Sequence, residues 1–258
     1  MNRFLPVSYV SFIYFLLYLP IIVLVLFSFN HSVYSGLWHG GTLHWYKQLF
    51  HDPNLFGIAL HSVTIAFLAS TIATLIGLLG AVALFQYRFF GKNILNLTVF
   101  VLILVPDLVL GIAFLILFHS FNMPLGFWSL LIAHITFCIP FVVITIMGRM
   151  SGTNKHLFEV AKDLGAKDMT VFSRVILPLM MPGIIAGWLL SFTLSFDDVI
   201  ISSFVSGPSY QILPLYIFSK VKLGITPELN ALCSLILGFT MLLTLLSLLT
   251  LRKAKSKS

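Results

Sequence analysis

Six long apolar stretches dominate this chain. They cover about residues 8–29, 60–85, 96–120, 127–148, 181–205 and 229–251. Each is long enough to cross the hydrocarbon core of a bilayer as an α-helix, which takes roughly 20 mostly apolar residues. Only 9% of the 258 residues are charged, whereas a soluble domain carries about 25%. The sequence therefore predicts an all-α polytopic membrane protein with six transmembrane helices, forming a single transmembrane domain over residues 1–258.

The distribution of basic residues predicts the orientation of these spans. In the six-span arrangement, twelve of the fifteen Lys and Arg residues lie on one side: Arg3, Arg88, Lys92, Arg149, Lys155, Lys162, Lys167, Arg174, Arg252, Lys253, Lys255 and Lys257. Positive residues concentrate on the cytoplasmic side, so both termini are expected there. The same distribution explains the net charge of +7 without a nucleic-acid partner. A cleaved signal peptide is disfavoured, because the first apolar run is long and no small-residue cleavage site follows it.

The longest external connection, about residues 30–59, is rich in aromatic residues and histidine. It contains Trp45, and its aromatic side chains suit a helix at the membrane interface. Its four histidines match no compact metal-binding motif, so a metal site is not expected. Before the last span, Thr226-Pro227-Glu228 has the composition of a helix N-terminus, with Thr226 as the capping residue.

One extended polar segment, Arg149 to Pro178, separates two spans on the predicted cytoplasmic side. Its apolar spacing predicts a short helix over Asn154–Leu164, a turn at Gly165, and a second helix from about Asp168 to Ile176 with Met169, Phe172 and Ile176 on one side. Pro178 is expected to limit the second helix. Two interpretations follow from periodicity alone: a docking element for a cytosolic partner, or an amphipathic hairpin on the lipid surface.

Three of the eight acidic residues, Asp107, Asp197 and Asp198, fall inside predicted spans. Each costs roughly 2.5–3.5 kcal/mol to insert at mid-helix before compensation. Such residues commonly mark a substrate path, although each could instead be neutral or bonded to a neighbouring span.

Helix geometry separates the two adjacent aspartates. Asp198 shares a polar stripe at steps of three and four residues with Ser191, Ser195 and Ser202. Asp197 points about 100° away, into less polar surroundings. Asp198 is therefore expected to line the path, and Asp197 to be its less certain neighbour.

Asp107 directly follows Pro106, which favours a kink in the third span. Backbone amides freed at the kink would partly compensate the carboxylate. Asp107 and Asp198 could then line one midplane cavity. Carboxylates together with external aromatic side chains suit an organic cation.

The polar segment resembles the EAA signature of ABC importer permeases. The matching residues are Glu159, Ala161, Gly165, Leu177 and Pro178, with mild departures at Val160 and Val175. The resemblance implies that residues 149–178 contain the coupling helices that seat in a cytosolic ATPase, as in type I importer permeases. The chain has no GxxxxGK[ST] loop, so it is not expected to be an enzyme or to bind a cofactor. ATP and Mg would be used by the partner ATPase dimer.

Longer runs resemble the permease subunits of bacterial spermidine/putrescine ABC importers. They include Gly126-Phe-Trp-Ser-Leu-Leu, His134-Ile-Thr-Phe-Cys-Ile-Pro-Phe-Val-Val, Gly187-Trp-Leu-Leu-Ser-Phe-Thr-Leu-Ser-Phe-Asp-Asp-Val and Ser203-Phe-Val-Ser-Gly-Pro-Ser-Tyr. This resemblance implies a second homologous permease, a periplasmic polyamine-binding protein and a location in the bacterial inner membrane. It links Asp107, Asp197, Asp198 and Trp45 to polyamine passage. It also gives the acid Asp168 a place in the coupling segment.

Three other functions would also fit a chain of apolar spans. An ABC permease for another small cation or an amino acid would share the coupling segment and differ only in cargo. An intramembrane aspartyl protease also needs two membrane aspartates, but the local sequences Val-Pro-Asp107-Leu and Ser-Phe-Asp197-Asp198 contain neither the YD nor the GxGD motif. A non-transporting scaffold would leave both the acids and the polar segment unexplained.

Overall fold

The computed structural model describes residues 4–32, 37–153, 160–161, 163–238 and 240–241. In these ranges the regular structure is helical, apart from an isolated antiparallel bridge between Asn30 and Gly41. The all-α prediction is confirmed for this part of the chain.

Helices make up most of the described residues. They are α1 (Phe4–Phe27), α2 (His44–Phe50), α3 (Pro53–Gln86), α4 (Lys92–Leu104), α5 (Asp107–Ser120), α6 (Phe127–Ser151), α7 (Asp168–Val171), α8 (Leu177–Asp197), α9 (Ile200–Val205), α10 (Leu213–Leu223) and α11 (227–238). A π-helical turn, Phe172–Ile176, joins α7 to α8.

Four helical segments are long and apolar enough to cross a membrane. They are Ser8–Phe27, Pro53–Gln86, Phe127–Ser151 and Asp168–Asp197, and the bent pair α4 and α5 makes a fifth if it forms one span. The last predicted span, 229–251, continues beyond the residues that the structure describes. Four to five candidate spans are therefore present in the described ranges, and the count of six stays a prediction.

The predicted third span, 96–120, is sharply bent. Helices α4 and α5 meet at 112° across Val105 and Pro106. Proline has no N–H and disfavours helical dihedrals in the preceding residue, and Val105 is accordingly extended (φ −70°, ψ 129°). The kink expected at Pro106 is confirmed, and it is large enough to divide the span into two helices.

The predicted fifth span, 181–205, is not continuous, contrary to expectation. Helix α8 ends at Asp197, Asp198 is extended (φ −66°, ψ 126°), and α9 begins at Ile200. No proline lies at this break. The carboxylate of Asp198 instead accepts hydrogen bonds from backbone amides of α9, so a side chain competes with the helix for these donors.

Pro178 does not separate the polar segment, residues 149–178, from the following span. Helix α7, the π-helical turn and α8 run on as one helical segment from Asp168 to Asp197, and Pro178 lies in the first turn of α8. Val171 and Ile176 are buried, whereas Met169 is 73% exposed, so the buried side of this segment includes Val171 and not Met169.

The chain forms two compact units, residues 1–56 with 217–258 and residues 57–216. In the second unit α6 packs against α8, with Val142 and Ile146 fully buried. Small residues permit the close approach: a Cβ at Gly77 would lie 2.7 Å from Val142 Cγ1, and one at Gly183 would lie 3.0 Å from Arg149 Cβ. Residues of α6 thus meet both α3 and α8 at van der Waals distance.

The connection after α9 depends on glycine at position 207, which predicts a clear loss of stability in Gly207→Ala. Gly207 has φ +64°, and a Cβ there would lie 2.7 Å from the carbonyl oxygen of Leu125. We expect a loss of about 1–3 kcal/mol, from a strained dihedral combined with a backbone clash. Thermal unfolding of the purified protein in detergent measures the effect as a lower Tm.

The matched control is Gly91→Ala. Gly91 has a similar φ of +88°, but its added Cβ would meet nothing within 4 Å, so only the dihedral strain remains. Equal Tm values for the two variants would contradict the role assigned to the Leu125 contact.

Candidate functional site

The carboxylate of Asp198 organises the break between α8 and α9. Its side chain is buried, with 8% of the residue exposed. Oδ2 accepts hydrogen bonds from Ser202 N and Ser202 Oγ, both at 2.7 Å, and Oδ1 accepts one from Ile201 N at 3.3 Å. The charge is therefore stabilised by the amides of the first turn of α9, where the helix dipole also favours an anion.

His134 on α6 completes this buried group. The ring is fully buried, with Nδ1 at 2.7 Å from Ser195 Oγ and Nε2 at 3.0 Å from Ser202 Oγ. Nε2 also lies 3.5 Å from Asp198 Oδ2. We call His134, Ser195, Asp198 and Ser202 the break cluster.

The contacts of the break cluster form a continuous chain. Ser202 donates its hydroxyl proton to Asp198. His134 joins this pair to Ser195, with Nε2 bonded to Ser202 Oγ and Nδ1 bonded to Ser195 Oγ.

Asp197 has different surroundings from its neighbour. It is the last residue of α8, and its side chain is exposed in the chain. Thr193, one turn earlier on the same side of the helix, is also exposed. Asp198 lies in the polar stripe with Ser195 and Ser202, as its spacing predicted, and it is closed off against α6. Asp197 points to a different side and is open in the chain.

Asp107 lies at the other break, as the first residue of α5, and is half-buried. Helix α5 packs against α9, and a Cβ on Gly111 would lie 2.6 Å from the Phe204 ring and 3.4 Å from Ile201 Cα. The two breaks therefore adjoin. The charge of Asp198 acts on both Asp107 and Asp197, so Asp198 lies within electrostatic range of each of them.

Sequence reasoning missed His134 as a site residue. The polar stripe of Ser191, Ser195, Asp198 and Ser202 is buried on one side, as its spacing predicted. Its partners on α6 are His134 and Cys138, whose Sγ donates to Ser191 O at 3.5 Å. A histidine and a cysteine one turn apart inside an apolar span were the available signal.

Trp45 belongs to the other unit and holds the connection after α1. Its Nε1 donates to the backbone oxygen of Asn30 at 2.8 Å. The buried Asn30 side chain donates to Leu37 O at 2.7 Å and accepts from His39 N at 2.9 Å. The hydroxyl groups of Tyr46 and Ser28 lie 2.6 Å apart. The half-buried Trp45 ring is thus fixed against the end of α1.

The polar segment, residues 149–178, is described only in part. Glu159 lies outside the described residues, as does most of the first predicted short helix. Gly165 has φ +83°, as a turn between two helices requires, and Ala166 N donates to Ala161 O at 3.1 Å. Asp168 begins α7, and Leu177 and Pro178 begin α8. Leu164 is 84% exposed, so the segment presents apolar as well as polar surface.

Metal ligands do not gather in the parts of the chain that the structure describes: no group of three or more His, Cys, Asp or Glu side chains is placed to hold an ion there. Both cysteines, Cys138 and Cys233, are free thiols. The chemistry that the described site offers is the binding of a cation by carboxylates.

Comparison with solved structures identifies the fold. A bacterial ABC transporter involved in the import of the acidic polysaccharide alginate superposes with a TM-score of 0.75 at 14% identity, covering 96% of this chain and 98% of that chain. The MetNI methionine ABC transporter in an inward-facing conformation gives a TM-score of 0.63 at 14% identity, covering 76% of this chain and 95% of that chain. The fold is that of an ABC transporter permease.

Sequence relatives extend along nearly the whole chain. It is 49% identical over 254 residues to the spermidine/putrescine transport system permease protein PotC of Haemophilus influenzae, covering 98% of this chain and 99% of the relative. It is 41% identical over 229 residues to the putrescine transport system permease protein PotI of Escherichia coli strain K12, covering 86% and 82%. Residues 73–255 match the binding-protein-dependent transport system inner membrane component family. The chain belongs to this family of multi-pass inner-membrane permeases.

Proposed function

We propose that this chain is a permease subunit of an ATP-driven ABC importer that carries polyamines, spermidine or putrescine, into the cytoplasm. The proposal rests on one observation: an aspartate lies at each of two adjoining helix breaks. The chain in which this occurs is 49% identical to a polyamine permease. Broken helices with polar groups near the bilayer midplane are a common design of transporter binding sites.

The charges at the breaks suit a flexible polycation. Asp197 is exposed, Asp107 is half-buried, and both feel the charge of Asp198. Like charges held in an apolar segment repel one another, and an ammonium group between them relieves that repulsion and gains direct attraction. In the proposal Asp197 and Asp107 contact the cation, while Asp198 contributes through its charge and its hold on α9. In the external connection, Trp45 either contacts the substrate with its aromatic ring or holds the connection in place.

The working complex contains partners that this chain requires. A second homologous permease would complete the path, a periplasmic polyamine-binding protein would deliver the cargo, and an ATPase dimer would bind ATP and Mg. The chain itself binds no cofactor in this scheme. Six spans with both termini cytoplasmic put residues 149–178 on the ATPase side, where Glu159, Ala161, Gly165, Asp168, Leu177 and Pro178 form the coupling element. ATP binding then shifts the equilibrium between outward and inward access.

The alternative functions differ in how well they account for the same residues. A permease for another small cation would keep every step and change only the cargo. An amino acid carrier would bring a carboxylate toward three aspartates, which is electrostatically unfavourable. A protease would need two carboxyl groups sharing a proton, but Asp198 is committed to the amides of α9 and to Ser202.

Neutralising Asp197 is expected to weaken polyamine uptake. Asp197→Asn removes one charge-assisted contact while keeping the shape of the side chain. A contact of this kind contributes about 1.5–3 kcal/mol, so the apparent KM for spermidine or putrescine should rise roughly 10- to 100-fold. Labelled polyamine uptake into proteoliposomes carrying the whole complex measures this value.

Thr193→Val is the matched control for Asp197→Asn. Thr193 lies one turn away on the same exposed side, and its hydroxyl is already bonded within the helix to Leu189 O at 2.9 Å. An unchanged KM is expected for this variant.

A wild-type complex in which amino acids or simple cations compete as well as polyamines would refute the assigned cargo.

A charge placed on the exposed apolar surface of the cytoplasmic segment is expected to impair ATPase docking. Leu164→Asp changes a side chain that is 84% exposed, and its desolvation in an interface would cost binding free energy. Glu159→Lys should have a similar effect by reversing charge in the coupling element. Copurification of the ATPase with the permease, and ATP-driven uptake, are the measurements.

Leu223→Asp provides a matched control, because Leu223 is 87% exposed but lies on the external side in the six-span topology. It should retain the ATPase fully. Normal copurification and uptake in both Leu164→Asp and Glu159→Lys would remove the coupling role from this segment.

A further inference from the structure

His134 contacts both sides of the break between α8 and α9. Ser195, bonded to Nδ1, precedes the break, and Ser202, bonded to Nε2, follows it. One buried ring on α6 therefore fixes the end of one helix and the start of the next. These contacts span 61 and 68 residues of sequence, so they set the tertiary position of the break.

We propose that His134 is a positioning residue for transport: it holds the α8–α9 break against α6 so that Asp197 faces the substrate while Asp198 stays buried. The inference rests on the proposed function for the identity of the cargo. It assigns different roles to two adjacent carboxylates, direct contact with the cation for Asp197 and support of the break for Asp198.

Hydrogen bonding separates the two roles. Asp198 accepts three hydrogen bonds inside the chain and is only 8% exposed, so a substrate amine bound there would crowd or displace Ser202 and His134. Leaving those buried donors and the ring unpaired would cost more than one new contact returns. Asp197 has an exposed side chain at the end of α8 and can meet an amine without opening the break cluster.

The packing around His134 is tight enough to transmit its position. One turn along α6, the fully buried Cys138 donates to Ser191 O of α8 at 3.5 Å. One turn further, a Cβ on Gly187 of α8 would lie 3.4 Å from Val142 Cγ1. Helices α6 and α8 are thus in close contact below the cluster, and His134 extends this contact across the break to α9.

Three substitutions at position 134 separate the contributions of the two ring nitrogens. His134→Leu replaces the ring with an apolar side chain of similar size and removes both hydrogen bonds. His134→Gln offers an amide near the position of Nε2, and His134→Asn offers one near Nδ1. Since the proposal requires a bridge between the two sides, Gln and Asn should each retain part of the activity, and Leu should retain the least.

A double-mutant cycle on uptake tests the positioning role. His134→Leu is expected to raise the apparent KM for spermidine roughly tenfold, the size of effect produced by removing buried hydrogen-bond partners. If His134 acts through Asp197, the double variant His134→Leu/Asp197→Asn should be no worse than Asp197→Asn alone. Thr136→Val, on the same helix but with a hydroxyl already bonded to Ile132 O within α6, should leave KM unchanged. Multiplying effects in the double variant, or a wild-type KM in His134→Leu, would overturn the proposal.

Amide hydrogen exchange in the purified complex measures how firmly the break cluster is held, and this measurement does not depend on which substrate the complex carries. His134→Leu should speed exchange across residues 198–205, because the amides of Ile201 and Ser202 lose a well-held acceptor. Asp198→Ala should do the same, whereas Asp198→Asn, which keeps a side-chain oxygen at the helix start, should change exchange less. Unchanged exchange in His134→Leu would overturn the positioning role. Faster exchange in a complex that does not import polyamines would leave that role intact and refute the proposed cargo.

Discussion

The arrangement of this permease depends on how a buried carboxylate is stabilised where its own helix stops. In a bilayer, unpaired backbone groups and unpaired charges are both costly, and the break at Asp198 contains both. They satisfy each other: the first-turn amides of α9 donate to the carboxylate, and Ser202 and His134 complete its surroundings. The break is therefore a stable feature of the fold, and the polar stripe continues across it from Ser195 to Ser202.

The second break is stabilised differently and lies beside the first. Pro106 removes a donor and forces Val105 out of the helix, and the Pro106 carbonyl accepts from Val109 N and Leu110 N as α5 begins. Gly111 then allows α5 to approach α9 at the Phe204 ring. Asp107 is held near the other two carboxyl groups by this contact. A cation site where the two breaks adjoin needs no metal and no catalytic group. It needs only fixed negative charges that are not fully paired within the protein.

Sequence periodicity and local chemistry predicted the features that neighbouring residues decide. The apolar run 127–148 corresponds to α6, the kink falls at Pro106, and Thr226 caps the start of α11 by accepting from Leu229 N. The break at Asp198 escaped prediction because no proline or glycine marks it. It depends on His134, whose partners are more than 60 residues away in sequence. The burial of Asp198 together with Ser195 and Ser202 was predicted by the spacing of the polar stripe, although the helix is broken between Asp198 and Ser202.

The central claim is that Asp197 contacts the substrate while Asp198 supports the break. The most direct measurement is a structure of the complete importer with spermidine trapped in the membrane path. The account predicts an amine nitrogen within hydrogen-bonding distance of the Asp197 carboxylate, with Asp198 still bonded to Ser202 and His134 still bridging Ser195 and Ser202. An amine bound directly to Asp198 with the break cluster opened, or a polyamine bound away from both breaks, would contradict it.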